Sequence, residues 1–344
     1  MYNRKQRILY LDVLNIFACF AVLMLHHNGI VHNYNVNSLA WKQALMFEVL
    51  FYWAVPIFFM LTGATLVSYR EQYSTKVFFT KRFLRTVIPF LIWSIILLIY
   101  SWWDGSFPYK NITEVFNAII TTKIPNGNIY WFFIPLFSLY CFIPVLSLLK
   151  DYTYILWYMG LFIFITHSCL PILFNLLGFK YNFAITFPTN GYVLFLLLGF
   201  LFSKINLTRK QRISIYVLGI ISVLIRYVGT YHYSLQVGKV DKWLFNYMHF
   251  HSVLLALAVF VFIKQVIENT VFTDRFSKVL YVMSSCSLGI YLIHHLIMSI
   301  ELVKLGISAD NFYWRFFGAF LTYLICFIIV FLVKKIPYIR SVFP

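Results

Sequence analysis

Apolar positions run along this chain in long unbroken blocks, and charged positions fall mostly in the short stretches between them. Uncharged runs of about 17–25 residues are long enough to carry a helix across a bilayer. Ten such runs can be read, at 8–27, 45–69, 86–103, 129–149, 152–170, 187–203, 213–232, 248–267, 279–300 and 313–333. The predicted fold is all-α, a polytopic integral membrane helical bundle of about ten transmembrane helices in one domain, residues 1–344. An even number of spans puts both termini on one side, and the lipid bilayer is the first expected partner.

The first run, Leu11 to His27, departs from this pattern because it carries Asp12, Asn15, His26 and His27. The eleven steps from Asn15 to His26 leave an angular offset of only roughly 20° on a helix, so Asp12, Asn15 and His26 form one polar stripe. His27 points about 120° away from Asn15. Ionisable groups in a span are costly in hydrocarbon, which marks the stripe as a candidate functional face.

Composition fits the membrane class: 61% of residues are apolar, 21% aromatic and 11% charged, against about a quarter charged in soluble domains. The net charge of +17 invites a polyanion reading, but the location of the charges removes it. With the amino terminus inside, nineteen Lys and Arg, Arg4, Lys5, Arg7 and Arg340 among them, lie toward the cytoplasmic side and nine toward the outer side. That bias is the positive-inside rule. No nucleic acid is expected as a partner, and both termini are expected in the cytoplasm.

The longest connection, Asp104 to Asn128, holds KNITEVFNAIITTK, which sets Val115, Phe116, Ile119 and Ile120 on one helical face suited to the outer interface. Cys19, Cys141, Cys169, Cys286 and Cys326 all lie in apolar runs without a CxxC pair, so neither a disulfide framework nor a metal site is expected. Asp12 interrupts the first run and no small-residue cleavage site follows it, so the span is expected to be retained.

Candidate chemistry sits at three levels. Arg82 and Arg85 in KRFLRTVIPF are three residues apart at the inner end of a span, where two guanidinium groups could clamp phosphate oxygens. His26, at the outer end of the stripe, could accept a proton from a hydroxyl. Asp12 lies about 21 Å from it along the axis and cannot orient that imidazole. Glu48, Arg226, His249, His251, His294 and His295 are further intramembrane polar residues, and Glu48 and Arg226 must find counter-charges or water inside the bundle. Tyr130 and Trp131, at the outer start of the fourth run, are candidates to border a binding site.

With these pieces the chain resembles the acyltransferase 3 family of polytopic membrane enzymes. The resemblance rests on LDVLNIFACFAVLMLHH, VPIFFMLTG, KRFLRTVIPF, YWFFIPLFSLYCFIPVL, FLLLGFLFSK and SLGIYLIHH, in family order over almost the whole chain. It implies an O-acyltransferase that moves a small acyl group, acetyl first, from cytoplasmic acyl-CoA to a hydroxyl of an extracytoplasmic polysaccharide or lipid-linked glycan. No permanently bound cofactor is implied; acetyl-CoA or another acyl-CoA serves as donor substrate. His26 matches the family's essential histidine, and Arg82 with Arg85 its paired arginines, thought to engage acyl-CoA. Asp12 and Asn15 would line the donor's path, although Asn15 stands where the family has a basic residue; Lys81, Arg82 and Arg85 are candidates to supply that charge. The implied setting is a bacterial cytoplasmic membrane, with glycan assembly proteins as further partners. Two other classes stay open at this level: a polytopic transporter, and a catalytically impaired relative that scaffolds a glycan assembly complex.

Overall fold

The computed structural model describes residues 8–185, 191–337 and 339–343. Arg4, Lys5, Arg7, residues 187–190 of the sixth predicted run and the side chain of Arg340 lie outside that description. The described residues form fourteen α-helices and no strand. The first ascends as α1 (Leu9–His27). The chain returns through α2 (Leu39–Phe51) and α3 (Ala54–Leu66), ascends through α4 (Thr75–Arg82) and α5 (Ile88–Trp103), lays α6 (Ile112–Ile120) along the far face and descends through α7 (Phe133–Leu146). It ascends again through α8 (Thr153–Ile163) and α9 (Leu170–Leu176) and descends through α10 (Val193–Lys204). The helices α11 (Arg209–Val237), α12 (Phe250–Glu268), α13 (Asp274–Leu305) and α14 (Phe312–Lys334) complete the alternation. Leu9 and Lys334 therefore end at one face, the basic face that also carries Arg82 and Arg85.

Nine helical segments among the described residues are long and apolar enough to span a membrane, against ten runs read from the sequence. The difference lies at α10, which is only twelve residues long and buried from Val193 to Phe202. It still crosses the depth of the bundle. A Cβ on Gly191, just ahead of it, would meet Met248 before α12, while at its other end Lys264 of α12 donates to the carbonyls of Phe202, Ser203 and Ile205. A helix walled off from lipid by neighbouring helices is not held to the hydrocarbon thickness. The even parity of the topology survives.

The stripe-bearing helix α1 is central and packs on α13, α3, α14 and α12. Glycines set the closest helix crossing: a Cβ on Gly63 of α3 would lie 2.0 Å from the Leu196 carbonyl oxygen, and one on Gly199 of α10 would lie 1.9 Å from that of Met60. This is the small-residue packing expected where helices gain nothing from hydrophobic exclusion of lipid. Outward faces are apolar, as with Ile220, Leu224 and Val228 of α11, spaced one turn apart and exposed.

Prolines shape the helices more than the apolar pattern alone suggests. Pro89 and Pro171 have no N–H to donate to the carbonyls four residues back. Each is preceded by a π-helical turn, Phe83–Val87 before α5 and Phe164–Cys169 before α9. Pro56 likewise cannot bond to Tyr52, and the second predicted span breaks at Tyr52 and Trp53 into α2 and α3. The helix α6 forms where the amphipathic pattern predicts it, capped by the Asn111 side chain. Val115 and Ile119 pack on the core, whereas Phe116 and Ile120 stay exposed.

Candidate functional site

The arginine doublet lies at the mouth of a cavity of about 870 Å³ on the basic face, lined by both Arg82 and Arg85. Arg82 ends α4 and Arg85 sits within the π turn forced by Pro89, a local geometry common at functional positions. Arg82 is partly buried, with its guanidinium about 5.8 Å from the ring centroid of Tyr140, and its Nε has no hydrogen-bond partner among the described residues. Lys81 does not join the doublet: its ammonium lies 3.9 Å over the ring of Tyr73.

A second cavity of about 380 Å³ continues inward. Arg82, Thr86, Tyr140, Ser285 and Leu288 line both, so the doublet's cavity adjoins the lower half of the α1 stripe, where Asp12 and Asn15 form the wall. Asn15 Nδ2 donates to the Ser284 carbonyl at 2.9 Å and contacts Ser284 Oγ at 3.0 Å. The amide thus ties α1 to α13.

His26 lines a third cavity, of about 460 Å³, toward the opposite face, together with Glu48, Trp131, Tyr247, Tyr291 and His295. Eleven residues separate it from Asn15, about 16 Å of helix rise. Its ring packs against two others on α13: His294 at 5.2 Å and, edge-on, His295 at 5.9 Å between centroids. His294 is fully buried and its Nδ1 contacts the Tyr291 carbonyl oxygen at 2.8 Å. No group of three or more His, Cys, Asp or Glu among the described residues is arranged to hold a metal ion.

His27 goes elsewhere, in the direction the helical wheel gives. It is buried against α14, with Nδ1 3.2 Å from the Trp314 carbonyl oxygen and Nε2 2.9 Å from the Thr322 hydroxyl, which in turn donates to Glu301.

Among the described residues Tyr291 alone lines both the second and the third cavity. It is buried, and its hydroxyl donates to the Ile129 carbonyl. Tyr291 is thus the point shared by the cavity walled by Asp12 and Asn15 and the cavity that holds His26.

Glu48 and Arg226 pair with each other. Arg226 Nη2 lies 3.4 Å from Glu48 Oε1, and both side chains are almost completely buried. The guanidinium of Arg226 stacks 3.4 Å over Tyr52, Tyr52 stacks on Tyr247 at 4.1 Å and Tyr247 on Trp131 at 5.7 Å. This column runs from the buried ion pair to the wall of the His26 cavity. Trp131 accordingly borders that cavity, while Tyr130 turns away and donates to the Leu292 carbonyl at 2.8 Å.

Several of these groups were missed in the sequence. Tyr291 and the contacts of His294 and His295 with His26 join residues almost 270 positions apart, beyond the reach of helical periodicity. Tyr52 and Tyr247 carried no signal among the 25 tyrosines.

Against known proteins, neither the curated sequences nor the solved structures give a significant match. A family model does: the acyltransferase domain of the acyltransferase 3 type matches residues 8–331, nearly the whole bundle from α1 into α14, and so takes in Arg82, Arg85, Asp12, Asn15 and His26. With its multi-pass helical architecture and this coverage, the chain belongs to the acyltransferase 3 family of membrane acyltransferases.

Proposed function

We propose that this membrane acyltransferase transfers a small acyl group, acetyl first, from cytoplasmic acyl-CoA to a hydroxyl of an extracytoplasmic polysaccharide or lipid-linked glycan in a bacterial cytoplasmic membrane. The observation that carries the reading is the sequence of cavities: the arginine doublet's cavity adjoins the Asp12 and Asn15 wall, and this abuts the His26 cavity at Tyr291. Such an arrangement suits two substrates that arrive from opposite faces.

In this reading the donor's phosphates rest on Arg82 and Arg85, which offer planar, multidentate donors. The slender pantetheine arm passes Asn15, and the thioester comes to Tyr291. The acceptor occupies the His26 cavity, whose Trp131 face is apolar and whose Glu48 edge is polar, a combination that suits a sugar ring. His26 takes the proton of the attacking hydroxyl while its oxygen forms the new ester bond to the carbonyl carbon. The carbon–sulfur bond then breaks, and the leaving CoA thiolate takes the proton back from the imidazolium. Glycan assembly proteins would be the natural partners at the outer face.

The test is chemical. Surface glycan from cells with the intact protein should carry an ester that is missing from cells with His26→Gln at equal expression. An unchanged ester content would reject the assignment.

A further inference from the structure

Next to His26 in sequence but turned away from its cavity, His27 joins two polar side chains of α13 and α14. Its Nδ1 lies 3.2 Å from the Trp314 carbonyl oxygen, its Nε2 lies 2.9 Å from Thr322 Oγ1, and Thr322 Oγ1 in turn contacts Glu301 Oε2. All three side chains are buried, and Glu301 Oε1 has no hydrogen-bond partner among the described residues. The imidazole fits because Gly318 faces it: a Cβ there would lie 2.5 Å from Nδ1. Asn28 donates from Nδ2 to the Arg315 carbonyl at 3.0 Å, so the outer end of α1 is fastened to α14 at two successive residues.

The hydrogens in this chain of contacts can be counted. A carbonyl oxygen only accepts, so His27 Nδ1 carries a hydrogen. The Thr322 hydroxyl has a single hydrogen and lies between two groups. With that hydrogen on Glu301, the Thr322 oxygen accepts from His27 Nε2, and the ring is an imidazolium beside a carboxylate. With the hydroxyl turned to His27, Glu301 is a carboxylic acid that donates to Thr322. A neutral ring beside a carboxylate would instead leave two buried acceptors competing for one hydrogen, and the loser would face a lone pair. An imidazolium beside a carboxylic acid would leave the hydroxyl hydrogen without an acceptor and a net charge inside the bundle. The two satisfied arrangements carry the same extra proton and no net charge. They interconvert when the Nε2 proton passes to Thr322 Oγ1 as the hydroxyl proton passes to Glu301 Oε2.

We propose that His27, Thr322 and Glu301 share one proton beyond the Nδ1 and hydroxyl hydrogens, and that this neutral triad positions His26 by fixing the last turn of α1. None of the three is among the described residues lining the cavities of His26, of Asp12 and Asn15, or of the arginine doublet. They therefore supply no group to the reaction and act through the backbone of α1, on which His26 and His27 are neighbours. The positioning role rests on the reading of His26 given above; the shared proton rests on the contacts alone.

The experiment uses the purified full-length protein in nanodiscs at neutral pH. Infrared difference spectra against Glu301→Gln report the Glu301 carboxyl, and nitrogen-15 spectra assigned against His27→Gln report the His27 ring. Wild type should show a carboxylic acid with a neutral, Nδ1-protonated ring, or a carboxylate with an imidazolium. A carboxylate with a neutral ring, or an acid with an imidazolium, overturns the shared proton. Acetyl transfer from acetyl-CoA to isolated surface glycan then reads the positioning role. Thr322→Val should lower kcat by about 10- to 100-fold with KM for acetyl-CoA unchanged, the scale of a misplaced reacting group. Thr322→Ser keeps the hydroxyl and should stay within about threefold of wild type. Wild-type kcat in Thr322→Val, or loss of CoA binding together with activity, overturns positioning; the second result would make the hydroxyl a general requirement of the fold. A wild type that transfers no acetyl group overturns the reading of His26 and the positioning role with it, while the spectra still decide the shared proton.

Discussion

The rings of His26 and His294 lie 5.2 Å apart on α1 and α13, two helices that run side by side in the same direction. His294 is fully buried, so it acts as the floor on which the His26 ring rests. Replacing it with Ala removes that floor, and displacement of a reacting group by about 1 Å is enough to lower turnover roughly 100-fold. His294→Phe keeps the bulk and should hold turnover within about tenfold of wild type. The measurement is kcat for acyl transfer beside KM for the donor, which should change little in either variant; equal loss in both would contradict a positioning role.

Exchanging Arg82 or Arg85 for Gln should weaken donor binding by about 10- to 100-fold, the size of one or two hydrogen bonds to a charged group. Arg82 should be the more sensitive, because it lines two cavities and Arg85 one. Titration of CoA at low and high salt checks this, and the variants should show a shallower salt dependence. Unchanged affinity would refute the clamp.

Tyr291 borders both cavities, so its removal should uncouple transfer. Tyr291→Ala should raise acyl-CoA hydrolysis in the absence of acceptor, as water gains a path to the thioester, whereas Tyr291→Phe keeps the ring and should stay close to wild type. Free CoA release, followed with and without acceptor, distinguishes the two. A tight Tyr291→Ala variant would show that the cavities are closed off elsewhere.

The Glu48 and Arg226 pair is buried, and removing one partner leaves the other charge stranded in the bundle. Either Glu48→Leu or Arg226→Leu alone should cost about 3–5 kcal/mol, and the double variant less than the sum. Thermal unfolding in detergent measures the cycle. Additive losses would mean that the 3.4 Å contact contributes nothing.

Gly63→Ala and Gly199→Ala each put a methyl group within about 2 Å of a backbone oxygen on the facing helix. Backbone cannot swing aside as a side chain can, so α3 and α10 must part, at a cost of about 1–3 kcal/mol or more. A wild-type melting temperature for either variant would contradict the crossing.

Much of the architecture was legible because membrane helices announce themselves by length and apolarity, properties local to each run. The sorting of His26 from His27 was legible too: it depends only on the 100° step of one helix, and the structure sends them to a cavity and to α14 respectively. The short α10 was not, since the apolar run over 187–203 says nothing about which neighbours shield it. Nor was the role of Pro89, whose missing N–H sets the π turn that carries Arg85; composition makes a proline in a membrane helix look ordinary. Lys81 and Lys334 show the same limit. Sequence adjacency favoured Lys81 as a companion to the doublet, but packing puts it on Tyr73 and brings Lys334 in from the last helix.

In the proposed reaction donor and acceptor enter from opposite faces and meet near His26. Its most direct test uses the purified protein reconstituted in vesicles of known orientation, with acetyl-CoA supplied only on the basic face and a glycan acceptor only on the other. Acetyl ester should form on the acceptor, should depend on His26 and should be absent when both substrates are confined to the far face. Ester formed without donor at the basic face, or formed equally well by His26→Gln, would contradict it.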